Sequence, residues 1–364
     1  MAPDRMPRTI VPRTIAHAWA EGRNHFNLIR LVAAWMVIYG HAWAITGAPG
    51  NDLVAQYTQY KFAGGVAVDM FFVISGFLIA ASLQRNSVQG YLASRALRIL
   101  PALIVCVGLS TFVLGPLLTT AADYWRNPQT WQYLTHNATL HRAEFFLPGV
   151  FEQLPRTAIN GSLWTLPIEA QLYIALLIAG LLGMIDARRY LLPWLLLVVG
   201  VAGLAWWGQH AGMPLPEARV NELWCALFFI TGTALWVYRD RVRLSGWCVL
   251  ALLVVAVLTR GTVYFAAPYF LLVCYGTLWL AFLRRGPRLA HHDLSYGLYL
   301  YGWPAAQLVQ LYSPGPPLHN VVWASALAFA LAALSWFCIE RPALRWKRRF
   351  GTRTPLASPA AAGA

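Results

Sequence analysis

RLVAAWMVIYGHAWAITG, residues 30–47, is the stretch that decides the fold class. It is long and apolar enough for a membrane-spanning helix, since about 20 residues cross a hydrocarbon core of ~30 Å. Similar apolar runs recur along the 364 residues, of which 58% are hydrophobic and 12% charged. Soluble domains carry about 25% charged residues. The sequence therefore predicts an all-α, polytopic transmembrane helical bundle.

The apolar runs predict about ten membrane spans of roughly 17–23 residues each. They cover residues 27–46, 65–84, 99–119, 163–185, 190–209, 222–238, 244–260, 262–283, 294–312 and 320–340. Of the 28 Lys and Arg residues, 21 fall in segments on one side of these spans and six on the other, with Arg30 inside the first span. Because cytoplasmic loops carry the excess of Lys and Arg, both termini are predicted to be cytoplasmic.

The spans divide the chain into three predicted parts: a basic cytoplasmic tail at 1–26, a transmembrane domain at 27–345 and a disordered cytoplasmic tail at 346–364. The net charge of +14 comes from short basic clusters between apolar runs. Such clusters orient membrane proteins, so membrane lipid and no nucleic acid is the expected partner. The five cysteines lie inside apolar runs at no metal-like spacing, so no metal site is predicted.

The first span carries two ionisable groups, Arg30 and His41, eleven residues apart. At 100° per residue they lie on one helix face, separated by roughly 16 Å along the axis. Snorkelling to the cytoplasmic interface explains Arg30 alone. His41, in the outer half of the span, is either an interhelical packing group or a functional residue.

Two acids in other spans are predicted at the depth of His41, because Asp69 and Glu169 lie a similar number of residues below the outer ends of their apolar runs. A buried carboxylate can orient an imidazole and raise its basicity, which suits a general base. The alternative is that these acids form a charge-paired packing network.

A second cluster lies in SRALRILPAL, residues 94–103, at the cytoplasmic start of the third predicted span. Arg95 and Arg98 are one turn apart and share a face, and with Arg30 they can form a cationic mouth suited to phosphates. The alternative is that the pair only obeys the positive-inside rule. Pro101 is predicted to occupy the first turn of this span.

Six segments in order resemble the acyltransferase 3 family of bacterial membrane O-acyltransferases, over about 24–345. The first span is similar to the family's first helix, with Arg and His separated by ten residues, and the RALR sequence of Arg95 and Arg98 matches its R-x-x-R element. The other four segments are GVAVDMFFVISGFLIA (65–80, with Asp69, Phe72, Ser75 and Gly76), NGSLWTLPIEAQLYI (160–174, with Ser162, Trp164 and Glu169), LSYGLYLYGWP (294–304) and IERPALR (339–345).

The resemblance implies an O-acyltransferase of the bacterial inner membrane that moves an acyl group, usually acetyl, from cytoplasmic acyl-coenzyme A to a hydroxyl of a cell-envelope or exported glycan. It implies that His41 deprotonates the acceptor, directly or through an acyl relay. The expected roles of the other residues are donor binding for Arg30, Arg95 and Arg98, support of His41 for Asp69 and Glu169, and substrate contact for Ser75, Trp164, Tyr296 and Tyr299.

One position departs from the resemblance: relatives often carry a His where this chain has Gly302, so any role of that His is absent here or falls to Tyr301. Two other functions compete. A proton-coupled transporter or flippase could use His41, Asp69 and Glu169 as a relay, although the sequence shows no paired broken helices. A noncatalytic scaffold or sensor would leave the buried charges unexplained.

Overall fold

A computed structural model describes residues 13–212, 215–287, 289 and 292–346, and within these ranges the chain is helical without a strand. One isolated antiparallel bridge joins Thr14 to Arg243. The α-helices are α1 Ile15–Ala20, α2 Phe26–Thr46, α3 Leu53–Thr58, α4 Ala63–Arg85, α5 Val88–Leu109, α6 Gly115–Leu118, α7 Pro128–Ala138, α8 Thr165–Leu181, α9 Ala187–His210, α10 Glu217–Val237, α11 Gly246–Leu258, α12 Ala266–Ala281, α13 Ser295–Tyr312, α14 Pro317–Ser335 and α15 Arg341–Arg345.

A helix lies at each of the ten predicted span positions, and eight helices in the described residues are long and apolar enough to cross a membrane. The all-helical, multi-pass prediction is therefore confirmed. Of the ten helices at the predicted span positions, α11 and α13 are not among these eight. Helix α11 has 13 residues, or about 20 Å, against a core of ~30 Å.

The third span begins much earlier than predicted, at Val88. Ser87 caps the helix, its side chain accepting a hydrogen bond from the Gly90 amide, and this cap starts the helix ahead of the apolar run. Pro101 therefore lies inside α5, and the prediction of a first-turn proline is wrong. Arg95 lies at the start of the third helical turn, still on the shared face with Arg98.

Two spans contain a π-helical segment, at Ser110–Leu114 and at Trp336–Glu340. Single π turns within α-helices often occur at functional sites. The second segment leads directly into α15 and ends at Glu340, a buried acid.

Helix α4 forms the centre of the bundle, and 72% of its most apolar stretch is buried. It crosses α10 closely because a Cβ on Gly76 would lie 1.9 Å from the Phe229 carbonyl oxygen, and one on Gly232 would lie 2.1 Å from that of Val73. Small residues permit such close approach of helices within membranes. Helix α4 also packs against α2, α8 and α12, so its polar residues face several neighbours.

The described part of the predicted basic tail, from residue 13, packs onto the bundle. Ile15 and Ala18 in α1 are fully buried, and the Trp19 ring packs edge-on against Phe77 and Trp236. Of the predicted C-terminal tail, only Trp346 lies within the described residues.

The connection between α6 and α8 turns back into the bundle along α13. The Trp303 indole donates to the Ala158 carbonyl at 2.9 Å, and the Gln307 amide donates to the Arg156 carbonyl at 2.6 Å. Deeper still, the Asn160 amide donates to the Leu300 carbonyl at 2.9 Å. Helix α8 therefore begins within the bundle rather than at its surface.

Candidate active site

A cavity of about 260 Å³ lies among α2, α4, α5, α8 and α13. Three arginines line one end, which we call the arginine end, and aromatic and aliphatic side chains line the rest. The lining residues are Arg30, Val68, Phe71, Phe72, Ile74, Ser75, Leu78, Ile79, Ser94, Arg95, Arg98, Ile99, Thr165, Leu166, Glu169, Tyr173, Ser295, Tyr296, Tyr299 and Leu344. The cavity thus brings together seven of the ten predicted site residues.

An ion-pair network joins four helical segments at the arginine end. Asp293 Oδ2 accepts from Arg30 Nη1 at 2.8 Å and from Arg98 Nη2 at 2.7 Å. Arg98 Nη1 also reaches Glu340 Oε2 at 3.3 Å, and the Ser335 hydroxyl donates to the other oxygen of Glu340 at 3.0 Å. The carboxylates hold Arg30 and Arg98 in place, an arrangement that the sequence analysis did not anticipate.

The Asp293 carboxyl lies just before α13, where burial by itself would raise its pKa. The two arginines outweigh that effect and lower the pKa of Asp293 to about 2. The group is therefore ionised at neutral pH, and it neutralises part of the arginine charge.

Arg95 differs from the other two arginines, since no carboxylate lies within ion-pair distance of it among the described residues. Its Nε donates to the Ser94 hydroxyl at 3.3 Å, and its guanidinium lies 5.9 Å from the centre of the Tyr173 ring. Arg95 lines the cavity, so its charge is available to an anionic ligand.

Glu169, Ser75 and Tyr173 form a polar cluster near Arg95. The Ser75 hydroxyl donates to Glu169 Oε1 at 3.0 Å and lies 2.9 Å from the Tyr173 hydroxyl, which also donates to Glu169. This carboxylate has no ion-pair partner within the described part of the chain. The cluster therefore provides the cavity with a hydrogen-bonding wall.

The predicted common depth of Glu169 and His41 is wrong. The hydroxyls of Thr165 and Tyr299 are hydrogen-bonded at 2.6 Å, so these residues lie at one depth. Glu169 is one helical turn closer than Thr165 to the arginine end. His41 packs against Trp303, which is one helical turn farther than Tyr299 from that end. At 1.5 Å per residue, the two groups differ by about 12 Å in depth. The prediction failed because it counted residues from the start of the apolar run, while α8 begins inside the bundle.

Some of the predicted substrate-contact residues line the cavity, and one packs in the core instead. Tyr296 and Tyr299 line the cavity, but their hydroxyls donate to backbone carbonyls, that of Tyr296 to Ile99 at 2.9 Å and that of Tyr299 to Ser162 at 2.6 Å. Trp164 is absent from the lining and packs against the hydrophobic core.

His41 does not line the cavity and lies between two aromatic rings. Phe62 stacks on it, with centroids 5.0 Å apart and planes at 24°, and Trp303 meets it edge-on at 4.8 Å. A Cβ on Gly64 would lie 3.3 Å from His41 Cε1. The imidazole has no hydrogen-bond partner among the described residues, so neither predicted carboxylate holds it.

Asp69 instead binds Lys61 and Tyr269. Its two oxygens accept from Lys61 Nζ at 2.8 and 2.7 Å, and Oδ2 also accepts from the Tyr269 hydroxyl at 2.5 Å. Lys61 is not among the predicted site residues, although a buried acid needs a cation nearby and Lys61 is eight residues away. Asp293 is also absent from the prediction, although it directly precedes the family-like segment at 294–304.

Close packing of two helices explains why residue 302 is a glycine. A Cβ at this position would lie 2.7 Å from Ile38 Cγ1 and 3.2 Å from Cδ1, so α13 packs on α2 too closely for a side chain. Tyr301 is buried, but it does not line the cavity. No group of three or more His, Cys, Asp or Glu residues able to hold a metal ion occurs in the ranges that the structure describes.

Similarity to known proteins identifies the family of this chain. The acyltransferase 3 profile, described as an acyltransferase domain, matches residues 23–340. An O-acetyl transferase of Shigella phage Sf6 is 29% identical over 87% of this chain and 95% of its own length. Nodulation protein 10 of Rhizobium leguminosarum bv. viciae is 30% identical over 89% of this chain and 94% of its own.

A third relative, exopolysaccharide production protein ExoZ of Rhizobium meliloti (strain 1021), is 31% identical over 35% of this chain and 44% of its own length. No solved structure matches the chain. The profile covers nearly all the described helices, including every cavity-lining residue except Leu344 and the surroundings of His41. The chain therefore belongs to the acyltransferase 3 family and is an acyltransferase.

Proposed function

We propose that this acyltransferase moves an acetyl group from cytoplasmic acetyl-coenzyme A to a hydroxyl of a cell-envelope or exported glycan, in the inner membrane of a bacterium. Relatives named O-acetyl transferase and exopolysaccharide production protein support the acetyl group and the glycan acceptor. The excess of Lys and Arg at the arginine end supports a cytoplasmic position for that end.

The observation that carries the proposal is the cavity itself. It extends from the three arginines, between apolar walls, to Tyr299, one helical turn before the Trp303 ring that packs on His41. A coenzyme A ester has the matching form, with phosphates at one end, a long flexible arm and a reactive thioester at the other end. In this orientation the arm runs along the bundle axis toward His41.

Donor binding depends chiefly on Arg95, since Asp293 and Glu340 already hold Arg30 and Arg98. The planar guanidinium of Arg95 can donate two parallel hydrogen bonds to phosphate oxygens. Arg30 and Arg98 add positive charge around the entrance. Glu169 and Ser75 lie along the cavity wall, where they can bind the amides of the arm.

His41 acts as the general base for the acceptor. The acceptor hydroxyl gives its proton to the imidazole, its oxygen bonds to the acyl carbon, the carbon–sulfur bond breaks, and the departing thiolate takes up a proton. The products are an acylated glycan and coenzyme A. An imidazole without a hydrogen-bond partner has both ring nitrogens available for this exchange.

The test uses purified protein in lipid nanodiscs, radiolabelled acetyl-coenzyme A and the glycan fraction of the expressing strain. The proposal expects label in the glycan with wild type and none above background with the His41→Asn variant. Equal label in both reactions would contradict it, and so would glycan uptake by wild-type proteoliposomes without acylation, which would indicate a transporter.

A further inference from the structure

A buried ion pair holds the turn that precedes α4. Lys61 lies in this turn, and its ammonium group is bound by both oxygens of Asp69. Asp69 is 2% exposed, and the Lys61 side chain is 21% exposed. The Tyr269 hydroxyl completes the site from α12. A carboxylate buried as deeply as Asp69 is stable in its charged form only with a cation beside it.

The Lys61 ammonium is also enclosed by aromatic rings. Its Nζ lies 5.6 Å from the ring centres of Trp224 and Phe228 and 5.8 Å from that of Tyr269. Cation–π attraction is strongest at such desolvated sites. Helices α10 and α12 thereby hold the side chain of a residue that lies in the turn before α4.

The residue after Lys61 in this turn is Phe62, whose ring stacks on His41. The backbone here is tightly fitted, since a Cβ on Gly40 would lie 2.5 Å from the Gly64 amide nitrogen and 2.8 Å from the Phe62 ring. A shift of the turn therefore moves Phe62 against α2, where His41 lies. The ion pair and the imidazole are connected through one side chain.

We propose that Asp69 is a positioning residue for acyl transfer: by neutralising Lys61 it fixes the turn that presses Phe62 onto His41, and it does not act on the imidazole by its own charge. This inference rests on the proposed role of His41 as general base. The two partners of the pair then have unequal importance. Without Asp69, the Lys61 ammonium leaves its aromatic site for water and takes Phe62 with it. Without Lys61, the carboxyl group can take up a proton and keep its bond to Tyr269.

The experiment compares wild type with Asp69→Asn, Lys61→Met, the double variant and Phe62→Ala. Methionine suits the aromatic site that lysine leaves. For monodisperse protein, we expect Asp69→Asn to lower kcat by about 10²-fold, the scale of a small misplacement of a reacting group, with KM for acetyl-coenzyme A unchanged. Phe62→Ala should give the same pattern, and Lys61→Met a smaller loss. The double variant should regain kcat to within about threefold of Lys61→Met, because both buried charges are gone.

A second readout needs no activity. Diethyl pyrocarbonate modifies accessible histidines, and peptide mass spectrometry measures the modification of His41 relative to His319. We expect faster modification of His41 in Asp69→Asn and Phe62→Ala, and a return to the wild-type rate in the double variant. This readout still tests the positioning role if wild type transfers no acetyl group, which would be a failure of the proposed function alone.

Two results would overturn the inference. A double variant as inactive as Asp69→Asn, with wild-type His41 modification, would show that the carboxylate charge acts on His41 directly. A purified Asp69→Asn variant with wild-type kcat, lower melting temperature and unchanged His41 modification would show that the pair only stabilises the fold.

Discussion

Tyr299 and Trp303 lie one helical turn apart on α13, and this turn separates the cavity from His41. Tyr299 lines the cavity, while Trp303 packs edge-on against the imidazole at 4.8 Å. An acyl group delivered through the cavity therefore has about 6 Å to travel beyond Tyr299. In the proposed mechanism, donor binding and proton removal therefore occur at different depths of one bundle and can be disturbed separately.

Removing the imidazole should strongly slow transfer and leave donor binding intact. We expect His41→Ala to lower kcat by ~10²-fold or more, the usual contribution of a general base, with acetyl-coenzyme A affinity within about twofold of wild type. The matched control is His319→Ala, since His319 does not line the cavity and forms its hydrogen bonds with Ser313. Near-normal turnover of the His41 variant in the acetyl transfer assay would count against the proposed base.

Arg95 should be the arginine on which donor affinity depends most. A charge-assisted phosphate contact contributes roughly 1.5–3 kcal/mol, so Arg95→Gln should weaken acetyl-coenzyme A binding by about 10–100-fold. Arg95→Lys should recover only part of the loss, because an ammonium lacks the planar fork. Calorimetry in detergent measures both, with the exposed Arg188→Gln as control. If Arg95→Gln binds the donor like wild type, the phosphates bind elsewhere.

Asp293 should stabilise the folded protein as well as hold the arginines of the arginine end. Its pKa in the fold is about 2, below the unfolded value of ~3.9, so its ionisation stabilises the folded state by about 2 kcal/mol. That contribution is complete above about pH 5 and is lost as the pH falls toward 2. Asp293→Asn should cost about 3–5 kcal/mol, because two arginines lose a buried partner. Melting temperatures across this pH range test it against the exposed Asp240→Asn, which we expect to melt like wild type.

The contact between Gly302 and Ile38 should make position 302 intolerant of a side chain. We expect Gly302→Ala to destabilise by about 1–3 kcal/mol, as overpacking does, and Ile38→Ala to relieve most of that loss in the double variant. Gly203→Ala is the control, since a Cβ there meets nothing within 4 Å. A Gly302→Ala variant that melts at or above the wild-type temperature would show that the two helices can separate at no cost.

The fold was largely predictable from the sequence, because apolar runs of membrane length report burial in lipid directly. The helix at 88–109 shows the limit: its first residues are amphipathic rather than apolar, so a hydropathy count began the span near residue 99. Only the Ser87 cap reveals the true start. Helix caps and apolar runs describe different boundaries of one element.

The site was predictable in its residues but only partly in its arrangement. Arg30, Arg95, Arg98, Ser75 and Glu169 do line one cavity. Depth could not be obtained by counting, because the connection before α8 enters the bundle and carries Glu169 toward the arginines. Partner choice was equally hidden: Asp69 was predicted to support His41, and only the packing of the turn before α4 shows that it binds Lys61.

The central claim is that the donor is taken up at the arginine end, on the cytoplasmic face, and the acyl group is passed toward His41. The most direct measurement adds radiolabelled acetyl-coenzyme A, which does not cross membranes, to sealed vesicles of both orientations from expressing cells. Impermeant thiol labelling of Gln132→Cys and Arg188→Cys, in a background with Cys248 and Cys338 replaced by Ser, reports the orientation of the protein. We predict glycan labelling in inverted vesicles, where Arg188→Cys also reacts, and none in right-side-out vesicles until they are opened. Equal labelling of intact right-side-out vesicles would contradict the claim.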